Sequence, residues 1–189
     1  MNKMSTMRRS LQEPLSTERI QKWKKTLVEM KRTGEMDDKA MTDRAFYWHE
    51  NVVEVICHRN VKRIEEYAFA NCPSLRRVVM PGVKVVERWA FEECSCLKDV
   101  ECSKLEMIQV EAFSDCYFLR GIDLQSARIV RQYALDGCKS LKDVEFGNEL
   151  ERFFGRRAFG GCISLERITI PLKDGLFGGG YDNGYDDGW

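Results

Sequence analysis

"AFANCPSLRRVVMP", residues Ala68 to Pro81, holds a cysteine that looks like neither a catalyst, a ligand nor half of a disulfide. Reading outward, the same frame returns as "AFEECSCLKDVE" from Ala90, "AFSDCYFLRGID" from Ala112, "ALDGCKSLKDVE" from Ala134 and "AFGGCISLERIT" from Ala158. The opening alanines are 22, 22, 22 and 24 residues apart. Self-similarity at this period is the mark of a solenoid, in which one coil cannot bury both of its faces and must stack on the next. A degenerate unit, "AFYWHENVVEVICH" from Ala45, keeps Ala-Phe, puts His49 in the cysteine column, and aligns Val52, Val55 and Cys57 with Leu75, Val78 and Met80. The repeats therefore predict about six coils between residues 45 and 172.

Each column has a physical reading. Leu75, Leu97, Leu119, Leu141 and Leu165 open a segment with the pattern L-x-x-Φ-x-Φ. Its second apolar column is Val78, Val100, Ile122, Val144 and Ile168, and the alternation at its end predicts a short strand. Stacked coils then bring parallel strands about 4.8 Å apart. Phe69, Phe91, Phe113, Leu135 and Phe159 predict a second internal ladder. A third runs through Val86, Ile108, Val130 and Phe153, preceded by Val83, Leu105, Ala127 and Leu150. The expected fold is a β-rich (α+β) solenoid, with short parallel strands preceded by one N-terminal helix.

The frame A-F-x-x-C-x-S-L-x-x-Φ-x-Φ-P, followed by V-x-x-I, resembles the BspA-type class of leucine-rich repeat. The match is specific from Ala68 to Pro171 and weaker in the first unit, where Val replaces Leu and His replaces Cys. The resemblance implies a curved, right-handed, strand-lined superhelix used for binding proteins, and it implies no chemistry.

Cys72, Cys94, Cys116, Cys138 and Cys162 each lie three residues before the strand-opening leucine. In that position a thiol fills a small gap at a turn and offers a weak S–H donor to a carbonyl of the neighbouring coil. Adjacent rungs are close enough for a disulfide, but five collinear thiols cannot all pair, and parallel Cβ vectors suit the bond poorly. "CSCLKDVEC", with Cys94, Cys96 and Cys102, raises metal binding as an alternative. The repeat register sends Cys94 and Cys102 to different edges of a coil, unlike the folded-back pairs that zinc uses. No metal or other cofactor is expected.

Catalytic signals are sparse. The two histidines, His49 and His58, have no recurring nucleophile or carboxylate beside them, and no phosphate-cradling glycine loop occurs. "FFGRR", Phe153 to Arg157, interrupts the period without an acid, base or nucleophile set. With 30 basic and 30 acidic residues, bulk charge argues against a nucleic-acid footprint and against attraction to an anionic membrane. Neither an export signal nor an apolar run long enough to insert in a membrane is apparent, so the chain reads as cytoplasmic with reduced cysteines. A secreted adhesin of the BspA type is the alternative, and a regulatory subunit or fragment of a larger repeat protein is another.

Two candidate interaction surfaces follow. Residues between buried columns of a strand face outward. One such column is Arg77, Asp99, Gly121, Asp143 and Arg167, and the other is Val79, Glu101, Asp123, Glu145 and Thr169. Asp99, Glu101, Asp123, Asp143 and Glu145 thus form an acidic ladder, suited to a protein with a basic patch or simply solvated. A basic column of Arg76, Lys98, Arg120 and Lys142 runs alongside and can neutralise it. In the V-x-x-I segment, Val85, Met107 and Ile129 replace the charged residues found at Arg63 and Arg152, which makes an apolar stripe if positions 83 and 86 are the buried ones.

At the ends, Ile20, Trp23, Leu27 and Met30 share one face of an amphipathic helix expected over residues 16–34, with Pro14 ahead and Gly34 behind. It is either a cap for the first coil or a separate partner-binding helix. Residues 1–15 are expected to be disordered and the Gly/Asp/Tyr-rich stretch 173–189 to be a mobile tail.

Overall fold

The computed structural model describes residues 44–153, 157–174 and 176. The expectations for 1–15, 16–34 and 177–189, and the centre of the "FFGRR" irregularity, lie outside these residues. Among the described residues, eleven short strands, numbered in chain order, alternate between two faces of a parallel-strand solenoid of about five turns. The first face carries β1 (Glu54–Ile56), β3 (Arg77–Val79), β5 (Asp99–Glu101), β7 (Gly121–Ile122), β9 (Asp143–Glu145) and β11 (Arg167–Thr169). The second carries β2 (Arg63–Ile64), β4 (Val85–Val86), β6 (Met107–Ile108), β8 (Ile129–Val130) and β10 (Arg152–Phe153).

Strand pairing follows the sequence columns. Val55 pairs with Val78, Val78 with Val100 and Val100 with Ile122, so identical positions of successive coils stack on one another. On the second face Ile64, Val86, Ile108, Val130 and Phe153 form the matching series. The first face has one interruption: β9 pairs with β11 but not with β7, and at this point the strand ladder is reduced to an isolated bridge between Leu124 and Phe146. Gly121 and Asp123 explain it. The Asp123 carboxylate accepts the Gln125 N–H at 3.0 Å, and a local turn of this kind competes with the strand ladder.

Between the faces, each Ala-Phe unit makes a tight turn, and these turns stack as a third ladder. The N–H groups of Tyr67, Phe69 and Asn71 donate to the carbonyls of Arg88, Ala90 and Glu92 in the next coil, at 3.3, 2.8 and 2.7 Å. Their geometry depends on two left-handed residues per coil. Arg44, Tyr67, Trp89, Glu111, Tyr133 and Arg157 hold positive φ before the alanine. Trp48, Asn71, Glu93, Asp115, Gly137 and Gly161 hold it before the cysteine position. For a residue with a Cβ this conformation costs about 1–2 kcal/mol, offset by the inter-coil bonds it aims.

The core is one continuous apolar cluster along the described coils. Phe46, Phe69, Phe91 and Phe113 stack with ring centroids 5.2, 5.3 and 5.1 Å apart and planes within 5 to 6° of parallel. Such offset aromatic pairs add about 0.5–1.5 kcal/mol each beyond area burial. Leu75, Leu97, Leu119 and Leu141 are fully buried, as are Val83, Leu105, Ala127 and Leu150. The last rung departs from the pattern: Ile168 is 41% exposed, whereas its equivalents Val78, Val100, Ile122 and Val144 are buried.

Candidate interaction surfaces

All eight cysteines are free thiols, and every one except Cys96 is buried. Cys72, Cys94, Cys116, Cys138 and Cys162 donate from Sγ to the carbonyls of Phe46, Phe69, Phe91, Phe113 and Leu135, each in the preceding coil, at 3.1 to 3.3 Å. Burial pushes the thiols of Cys57 and Cys102 up to about 12 and raises Cys116 further, so they remain protonated, whereas the neighbouring Cys94 and Cys138 thiols draw Cys72 and Cys162 down. Cys94 and Cys102 bond to opposite neighbouring coils, since Cys102 Sγ faces the Asp123 carbonyl at 3.5 Å. No group of three or more His, Cys, Asp or Glu side chains among the described residues could hold a metal ion. His49, in the cysteine column, lies edge-on to Phe46 at 6.3 Å and accepts the Asn51 N–H on Nδ1 at 3.3 Å.

On the first strand face the acidic residues stand where the columns place them. Asp99, Glu101, Asp123, Asp143 and Glu145 are all exposed. Their cationic partners are not the basic column that runs beside them. Arg77 reaches Glu101 at 2.6 Å from one guanidinium nitrogen and Glu54 from the other, while Arg167 holds Asp143 at 3.0 Å. Arg76, Lys98, Arg120 and Lys142 make no ion pair among the described residues, because adjacent side chains of an extended segment diverge. Asp99, Asp123 and Glu145 are left without an ion-pair partner among the described residues, in the middle of a face clamped at both ends by arginine. The break between β7 and β9 falls within the ladder, between Asp123 and the Asp143–Glu145 strand.

On the second face Val85, Met107 and Ile129 are brought into one line by strand pairing, with Arg63 and Arg152 at its ends. Val83 and Val86 are the buried neighbours, so the three apolar side chains are half-buried rather than projecting freely. The Lys84–Glu106 pair at 2.6 Å and the Arg128–Glu151 pair border the stripe, and the Gln109 amide lies 3.4 Å from the Met107 sulfur.

The sequence reading missed a third surface, on the stacked turns. Trp48, Glu50, Asn51, Asn71, Pro73, Ser74, Glu93, Ser95 and Tyr117 line an open groove of about 720 Å³. Beside it the Glu92 carboxyl is pushed up to about 7 by burial and by Glu111, Glu93 and Asp115. Asp115, burial and Glu93 together hold the Tyr117 phenol above its ordinary value. The signal was present in the residues that follow the cysteine column, where Pro73 and Ser95 lie between Glu50 and Tyr117.

The family model for the BspA type leucine rich repeat region matches residues 39–166 in six copies. Among solved structures, a leucine-rich repeat protein from Bacteroides ovatus is 27% identical, with a TM-score of 0.57 over 66% of this chain and 37% of its own. A leucine rich cell surface protein from Faecalibacterium prausnitzii is 26% identical, with a TM-score of 0.56 over 65% of this chain and 33% of its own. The leucine rich repeat protein of T. pallidum is 25% identical, with a TM-score of 0.54 over 62% of this chain and 69% of its own. The chain thus spans about a third of the first two proteins' lengths. No curated protein matches it significantly. Among the described residues no helix is long and apolar enough to cross a membrane. Repeat period, stacked columns and family match agree: the chain belongs to the BspA-type leucine-rich repeat family.

Proposed function

We propose that this chain is a non-enzymatic interaction module whose first strand face receives a protein partner with a basic patch. The observation that carries the reading is the unequal pairing of the acidic ladder. Arg77 and Arg167 occupy Glu101 and Asp143 at the two ends, while Asp99, Asp123 and Glu145 remain open to a cation from outside. Charge arranged this way sets partner choice and association rate more than raw affinity. The half-buried stripe of Val85, Met107 and Ile129 is a second contact surface, on the face carrying β2 to β10.

The coils are read as a right-handed superhelix, because a parallel strand–connection–strand step within one sheet is right-handed. The buried free thiols support a reducing, cytoplasmic setting. The Faecalibacterium relative is a cell surface protein, which favours the adhesin reading instead. Counting free thiols on protein taken from its native source separates them: eight reactive thiols after denaturation support the cytoplasmic setting, and fewer support export.

The binding reading is tested by affinity capture with the wild-type chain beside Asp123→Lys. Capture lost in the variant, at unchanged thermal stability, supports the strand face; equal capture of the same partner by both chains rules it out.

A further inference from the structure

The groove on the stacked turns has a definite origin in the sequence. Following the cysteine column, coil by coil, come Glu50, Pro73, Ser95 and Tyr117, and one residue later Asn51 and Ser74. Two coils with small residues therefore lie between two coils with large ones. Trp48 and Glu50 come from the coil at one end and Tyr117 from the coil at the other, with Asn71, Pro73, Ser74, Glu93 and Ser95 supplied by the two coils between them. The phenylalanines of the same four coils are spaced 5.2, 5.3 and 5.1 Å apart, so the groove runs about 15 Å along the axis. That length accommodates about four or five residues of extended chain.

Its lining selects a class of occupant. The two charged residues that line it, Glu50 and Glu93, are both carboxylates, and Asp115 adjoins Tyr117. Trp48 is 53% exposed, so an aromatic face is available at one end. At the other end Tyr117 already accepts an ammonium: Lys139, from the next coil, holds Nζ 4.2 Å from its ring centroid. Nearby, Arg44 and Arg157 lie 5.2 and 5.7 Å over Tyr67 and Tyr133, the same pairing of cation and aromatic ring. Carboxylates beside the exposed Trp48 ring provide both halves of a lysine or arginine site at the end that Lys139 does not occupy, and the small residues of the middle coils let a backbone approach. We propose that this groove binds an extended segment of a partner protein carrying two or more lysine or arginine side chains. The surface is separate from the strand face, so the two readings stand or fall independently.

The test uses the full chain and fluorescence anisotropy with a labelled Lys-Gly-Arg-Gly-Lys peptide, alongside a Gln-Gly-Gln-Gly-Gln control. Binding is expected for the basic peptide alone and should weaken as salt rises. The double variant Glu50→Gln, Glu93→Gln is expected to weaken it about five- to tenfold, each exposed charge contact being worth a factor of about 1.5 to 5. Ser95→Trp, which puts a large side chain at a small lining position, is expected to abolish binding, while Asp123→Lys on the strand face leaves it unchanged. Circular dichroism confirms that each variant is folded. Equal binding of the two peptides, or weakening by Asp123→Lys alone, overturns the proposal. So does binding of neutral chitotriose in place of the peptide, which would make the groove a sugar site.

Discussion

The Sγ of Cys94 lies 3.1 Å from the carbonyl oxygen of Phe69, which sits three positions earlier in the frame of the preceding coil, and the same relation recurs between Cys116 and Phe91 at 3.2 Å. The thiol satisfies a carbonyl inside the turn ladder while staying fully buried. A buried, protonated, hydrogen-bonded thiol is a poor nucleophile. In the folded protein Cys96 alone is therefore expected to react promptly with a thiol reagent such as DTNB, the other seven reacting only as denaturant opens the coils. Prompt reaction of several thiols without denaturant would contradict this packing.

Leu119 and Phe91 probe different parts of the core. Leu119→Ala removes a fully buried side chain between neighbouring rungs and is expected to cost about 2–5 kcal/mol in chemical denaturation. Phe91→Leu keeps most of the volume but removes two stacked contacts, at 5.3 and 5.1 Å, and is expected to cost less. An unchanged midpoint for Leu119→Ala would mean that the strand register is wrong.

Left-handed backbone gives an asymmetric pair of substitutions. Gly137 has φ of +73°, and a Cβ there would lie 2.3 Å from an Asp115 carboxylate oxygen and 3.3 Å from its Cα. Gly137→Ala is expected to lower stability by about 1–2 kcal/mol or more. Asn71, with φ of 57° in the equivalent place, should accept glycine with little change in the midpoint.

Glu92 links stability to pH. Burial, then Glu111, Glu93 and Asp115, raise its folded-state value from 4.5 to about 7. A raised acid binds its proton more tightly in the folded chain, so its contribution is complete below pH 4.5 and is lost as pH rises through 7. Thermal unfolding of the wild type is expected to show this decline between the two values, and Glu92→Gln to flatten it. An identical pH profile for the two proteins would remove Glu92 as its source.

Period, ladders and thiol column were legible in the sequence because each is carried by like residues at one spacing: Leu75, Leu97 and Leu119 announce their register by identity alone. The left-handed columns were not. Trp48, Asn71, Glu93, Asp115 and Gly137 share a backbone conformation but no side-chain chemistry, so no residue type marks the position. Ion pairing was misplaced for a related reason. The basic column beside Asp99 and Asp143 is close in sequence, yet Arg77 and Arg167 sit in the acids' own columns, one coil away. The groove was hidden because it is formed by what Pro73, Ser74 and Ser95 lack, and a depression shows only once neighbouring coils are aligned.

The bonds of the column Cys72, Cys94, Cys116, Cys138 and Cys162 all point the same way, from each coil to the one before it. For a chain emerging from the ribosome, each new thiol of this column meets an acceptor that has already been synthesised. Assembly can thus proceed coil by coil from the N-terminal side, each turn serving as the template on which its successor closes, without waiting for the C-terminal end.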